Sequence, residues 1–129
     1  MMKQAQEIAQ KQNARNKDIL QSCCDMFRSG TAYNLIMETS VEQRPFHSEE
    51  RDLISHDIGL YFADVQKQVR DESSKISMTE FCYMVLKALQ LDSRVISDIM
   101  CTSQANLRST KSRIKQKLSQ DTFTRFFGE

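Results

Sequence analysis

The sequence predicts an all-α protein, and three observations carry that prediction. Gly occurs three times and Pro once in 129 residues, too few to punctuate a series of tight turns. Gln, Lys, Arg, Glu, Leu, Ile, Met and Ala are plentiful, and these residues favour helices. Apolar residues recur at three- and four-residue steps along much of the chain. A length within the usual single-domain range and 40% hydrophobic residues are enough to bury one modest core. The expected organisation is a helical N-terminal extension over residues 1–75, with a candidate coiled coil, followed by a trihelical unit over residues 76–129.

The elements follow in order. The stretch KQAQEIAQKQNARNKD at 3–18 is rich in helix formers but poor in large apolar side chains, so alone it is marginally helical. Ala5, Ile8, Gln12, Arg15, Ile19, Ser22 and Met26 fall at alternating three- and four-residue steps, a heptad-like seam that is only half apolar. That seam fits a solvated lead-in helix and a dimerising coiled coil alike. Ile19, Leu20, Cys23, Met26 and Phe27 keep helical spacing and are expected to face the core, with Gly30 ending the helix. Thr31 to Glu38 is a short helix candidate, Arg44 to Phe46 a loop, and Ser48 the expected N-cap of the next helix.

From Glu49 to Glu72 the positions of Leu53, Ile54, Ile58, Tyr61, Phe62, Val65 and Val69 predict one long amphipathic helix. DESSK at 71–75 breaks it, and Ser77-Met78-Thr79-Glu80 then has capping-box spacing. A helix from Met78 to about Gln90 buries Phe81, Met84, Val85 and Leu89. A second, Arg94 to Met100, starts after a cap at Asp92 or Ser93 and packs through Val95, Ile96, Ile99 and Met100. A third, capped by Ser103, runs to about Ser119 with Leu107, Thr110, Ile114 and Leu118 on its apolar side. Phe123, Phe126 and Phe127 are spaced as the buried edge of a last short helix.

Charge is unevenly placed. Residues 1–75 hold ten Lys/Arg against twelve Asp/Glu, and residues 76–129 eight against five, so a net charge of +1 divides into −2 and +3. Arg108, Lys111, Arg113, Lys115 and Lys117 form a run without an intervening acid, the local positive surface that a polyanion requires. A short helix, a tight turn and a second helix with a polar start is the arrangement that sets a recognition helix in the major groove of double-stranded DNA. Near the start of that helix, Gln104, Asn106, Arg108 and Ser109 carry donors and acceptors suited to base edges. Lys111, Ser112, Arg113, Lys115 and Lys117 suit phosphates, which position without reading sequence. One small unit binds weakly, so a homodimer is expected. The competing reading is a helical interaction module whose basic helix docks an acidic protein partner.

The segment SRVISDIMCTSQANLRSTKSRIKQKL, Ser93 to Leu118, resembles the LuxR-type helix-turn-helix of bacterial transcription regulators. Ile96, Ile99, Ser103, Leu107, Ile114, Lys117 and Leu118 fall on matching positions without a gap. Departures are Gln90 where the family has Gly, Val95 where it often has Glu, Ser97 where Ala is usual, and Asn106-Leu107 in place of Thr-Val. The whole chain is similar to the C-terminal ends of tetratricopeptide-containing regulators from Bacteroidetes. That resemblance implies a cytoplasmic output region of a longer protein, with sensory repeats and in some cases a membrane helix upstream. The promoter-reading end of sigma factors is a related pattern, but no second sigma region is present.

Other chemistry finds little support. GxxxxGK[ST], GxGxxG and GxSxG motifs are all absent from the sequence, so no enzymatic activity and no cofactor are expected. His47 and His56 lack ligand spacing for a metal, and the paired acids Glu49-Glu50 and Asp71-Glu72 flank helix ends without a partner base. Cys23, Cys24, Cys82 and Cys101 contain no CxxC pair and are expected to be reduced, buried thiols. No apolar stretch approaches the ~20 residues needed to cross a bilayer.

Overall fold

The computed structural model describes residues 19–129, so the seam positions from Ala5 to Arg15 lie outside the described residues. Every regular element among the described residues is helical: α1 (19–28), α2 (Thr31–Glu42), α3 (Ser48–Tyr61), α4 (Ala63–Glu72), α5 (Met78–Ala88), α6 (Ser93–Met100), α7 (Gln104–Lys117) and α8 (Gln120–Phe127).

The helix α1 buries Leu20, Cys24 and Phe27, a four- and three-residue step that makes one stripe. Met26, expected in the core, is 59% exposed. Once Phe27 is committed inward, its neighbour points about 100° away around the helix. Ser22 is exposed and Ile19 half-buried. Gly30 stands between helices and is the N-cap of α2. That helix runs to Glu42, four residues past its expected end, and stops where Gln43 turns left-handed at φ 55°.

The first turn of α3 starts one residue earlier than expected: its N-cap is His47, whose backbone N–H donates to the Glu50 carboxylate at 2.9 Å. That carboxylate also takes two Arg44 hydrogen bonds at 2.8 Å, and the guanidinium, with the His47 N–H, holds the Glu50 pKa down at about 2. The single long helix expected over 49–72 is two helices joined at Phe62 (φ −110°, ψ 21°). Across the joint the Phe62 N–H still donates to the Ile58 carbonyl at 3.0 Å, and the Phe62 carbonyl accepts from Gln66 at 2.8 Å. A straight helix would let the apolar stripe drift by about 60° between Ile54 and Val69. The bend lets Ile54 and Ile58 on one side of it, and Val65 and Val69 on the other, all reach the core. Phe62 itself is fully buried, its ring 5.9 Å from that of Phe27.

Helices α5, α6 and α7 follow their expected outlines within two residues, and α8 is the short last helix that the phenylalanine spacing predicts. The capping box of α5 forms in both directions, with Glu80 N–H donating to Ser77 Oγ at 3.1 Å and Ser77 N–H to the Glu80 carboxylate at 2.8 Å. Phe81, Tyr83, Met84, Val85 and Leu86 make α5 the most buried helix of the fold. It packs against α3, α6 and α8. Phe123, Phe126 and Phe127 of α8 are all buried, with Phe123 and Phe127 stacked at 4.5 Å. The polar turn at 73–77 separates helices but not cores, because buried residues on both sides of it belong to one apolar cluster.

All four cysteines are free. Cys24 is buried, and burial pushes its thiol up to about 11. Burial also raises Cys23 and Cys82, which are half-buried. Cys101, expected to be buried, is exposed because the α6–α7 turn carries it outward. No described helix is long and apolar enough to cross a membrane.

Candidate nucleic-acid interface

The site is built from α6, a three-residue turn and α7. Asp92 caps α6 by accepting from the Arg94 N–H at 2.9 Å. Ile96 and Ile99 are buried, Val95 and Met100 pack at the edge, and the small Ser97 is buried with its hydroxyl donating to the Arg94 carbonyl at 2.8 Å. Cys101 then takes up φ 53°, ψ 48°, the left-handed conformation that closes helix ends. Its N–H donates to the Asp98 carbonyl at 3.3 Å, and the Thr102 N–H to Ser97 at 3.0 Å. Ser103 caps α7 by accepting from the Asn106 N–H at 3.0 Å.

Leu107, Thr110, Ile114 and Leu118 bury one side of α7, as their spacing predicts. The opposite side presents Ala105, Arg108, Ser109, Ser112, Arg113 and Gln116, all exposed. Of the four residues expected to meet bases, Arg108 and Ser109 share this open face. Gln104 and Asn106 are exposed too, but two residues apart on one helix they point to roughly opposite flanks. The Asn106 amide also donates to Thr102 Oγ1 at 2.7 Å. The Ser109 hydroxyl leans back on the Ala105 carbonyl at 3.4 Å. Arg108 has no ion pair or side-chain hydrogen bond to any of the described residues.

The five phosphate candidates divide. Ser112 is exposed on the open face. Arg113 is exposed, and its guanidinium donates to Thr110 Oγ1 at 3.0 Å. Lys115 lies with its ammonium 5.7 Å from the centre of the Phe123 ring. Lys111 lies likewise at 5.7 Å from Phe127 and pairs with the Glu129 carboxylate, which the ammonium holds below its ordinary range. Lys117 departs from expectation: it donates to both Glu80 oxygens at 2.9 Å and to the Lys75 carbonyl at 3.1 Å. Its position beside the buried stripe turns it inward, so its charge is spent tying the end of α7 to the start of α5. Burial opposes ionisation of Glu80, but the Ser77 N–H and the Lys117 ammonium outweigh it and the carboxyl sits below the usual range.

A second tie passes from α4 to α8. The Glu72 carboxylate accepts from the Ser119 N–H and the Thr122 hydroxyl, each at 2.6 Å. Burial disfavours its charge, yet these donors hold its pKa below the ordinary value. Neither tie has a local signature, since the partners lie 37 and 47 to 50 residues apart. The ring-stacked lysines had a partial signal in the Phe123 and Phe127 spacing. No protein-family model, curated protein or solved structure matches this chain.

Proposed function

We propose that this chain is the sequence-specific DNA-binding end of a transcription regulator, with α7 entering the major groove. The carrying observation is the α6–turn–α7 unit: a capped short helix, a three-residue turn closed by left-handed Cys101, and a helix buried on one stripe and open on the other. Small side chains at Ala105, Ser109 and Ser112 let such a helix approach a groove floor closely. Arg108, without a side-chain partner among the described residues, suits bidentate pairing with a guanine edge. Arg113 and Lys115 border that face and suit the phosphates of the two strands, and Lys111 adds to them on leaving its pairing with Glu129.

The LuxR-type likeness gains support from Gln90, which is left-handed at φ 63° where the family pattern has Gly. A homodimer formed through the N-terminal helix belongs to the same proposal, as does placement at the cytoplasmic end of a longer regulator. Met26, 59% exposed on α1, offers apolar surface for the dimer, and sedimentation equilibrium that finds only monomer at high concentration removes that part.

The test is fluorescence anisotropy with random-sequence duplex DNA at two salt concentrations. Each neutralised phosphate contributes about −0.9 to the log–log slope, so three bordering cations predict a slope near −3 per chain. Lys111→Ala with Arg113→Ala weakens binding to all duplexes, whereas Arg108→Ala changes sequence preference. A uniform loss in Arg108→Ala together with tight binding to an acidic protein favours the docking module instead. No duplex binding by the folded protein at low salt overturns the proposal.

A further inference from the structure

After α8 the chain reverses toward α7. Gly128 takes up φ 73°, the left-handed conformation that glycine adopts without strain, and its N–H donates to the Thr124 carbonyl at 2.8 Å. The main-chain oxygen of Glu129 is then clamped by the Thr124 hydroxyl at 2.7 Å and the Gln120 amide at 3.2 Å. This reversal carries the Glu129 carboxylate onto the Lys111 ammonium. Lys111 above all, with Lys87 of α5 and Lys115, holds that carboxyl below its ordinary range.

The pair does little for the fold. The Glu129 side chain is 60% exposed, against 8% for Glu80 in its tie to Lys117, so water and salt screen its attraction to Lys111. The lysines, in contrast, are held in place: the Phe127 and Phe123 rings lie 5.7 Å from the ammonium groups of Lys111 and Lys115. Arg108, Lys111 and Lys115 follow one another at three- and four-residue steps on one flank of α7. A carboxylate on that flank opposes the approach of a phosphate and occupies one of the cations that would receive it.

We infer that the Glu129 carboxylate is a built-in competitor of the DNA backbone: it fills the position at Lys111 that a phosphate takes on binding, and the duplex must displace it. The inference rests on α7 being a DNA-binding helix and assigns that surface an intramolecular brake. An exposed, salt-screened pair suits the part, because a row of phosphates outcompetes it where a buried tie such as Lys117 with Glu80 stays closed.

The experiment compares the 129-residue chain with Glu129→Gln by fluorescence anisotropy on one random-sequence duplex, at about 50 and about 200 mM salt. The variant is expected to bind about three- to tenfold tighter at the lower salt, with the gap narrowing at the higher. Its melting temperature stays within about 2 °C of the parent, as the loss of an exposed pair implies. Glu38→Gln removes the same charge from an exposed position on α2 and changes affinity less than about twofold. The gain from Glu129→Gln shrinks when Lys111→Ala is already present, which ties it to this pair. The inference is overturned if Glu129→Gln binds no tighter than the parent, if Glu38→Gln matches its gain, or if the gain persists in full beside Lys111→Ala. Failure of both folded proteins to bind at low salt overturns the DNA-binding proposal and the inference with it, whereas equal binding by both overturns the inference alone.

Discussion

The two halves of the molecule start their helices by different means. From Ser77 onward each helix opens on a side-chain cap: Ser77 for α5, Asp92 for α6, Ser103 for α7 and Ser119 for α8. Before it, α2 and α4 open on Gly30 and Phe62 with no such bond, and at α3 it is Glu50 that reaches back to His47. At least one free N–H at the start of each of α5 to α8 is thus satisfied within one turn of sequence. The starts of α2 and α4 are set by what must be packed. Gly30 lies so close to the Tyr61 hydroxyl that a Cβ there would stand 3.2 Å from it, and Phe62 bends the chain in order to bury its ring.

Substitutions can break or sharpen that contrast, and the largest effect is expected where packing alone decides. Phe62→Ala should cost about 3–5 kcal/mol in urea unfolding, through lost burial and the cavity left beside Phe27. A loss below about 1 kcal/mol would mean that the α3–α4 bend has a local cause. Glu80→Ala removes the return half of the capping box and strands Lys117, for an expected loss of about 2 kcal/mol. The folded Glu80 carboxyl lies below its ordinary value of 4.5, so its contribution is full above that pH and fades as pH falls through the folded value. The variant should therefore lose less stability than the parent on acidification below about pH 4.5.

Ser103→Ala should cost about 1 kcal/mol, with faster hydrogen exchange confined to the first turn of α7. Spread of that exchange into α5 would show that the caps of the second half are not independent. The smallest effect belongs to Gln90→Gly, expected to gain about 0.5–1 kcal/mol by relieving a left-handed backbone.

The same contrast explains which features are legible in the sequence. Helix content, the caps at Ser77 and Ser103, the buried stripe of α7 and the apolar edge of α8 are all written in residues a few positions apart. Helical periodicity names a buried face but carries no information on bending, so the break at Phe62 stayed hidden. Adjacent apolar residues such as Met26 and Phe27 compete for one direction, and only the neighbouring helices decide between them. At the candidate interface, the run of basic residues does not disclose which of its members another helix ties up. Lys117 and Arg108 look equivalent in sequence, yet one meets Glu80 from another helix and the other meets solvent.

The continuous apolar cluster governs how the molecule can be divided. The turn at 73–77 is polar apart from Ile76, which is buried in the core, and a nick there would release nothing. The pieces remain joined through the cluster, through Glu72 on Ser119, and through Arg28, whose guanidinium donates to the Leu89 carbonyl at 3.3 Å. Either piece expressed alone would present half a core to water, and the two mixed together would reassemble into one cooperative unit. Whatever stabilises or loosens α1 to α4 therefore shifts the folding equilibrium of the basic helix as well, although none of those helices need touch it.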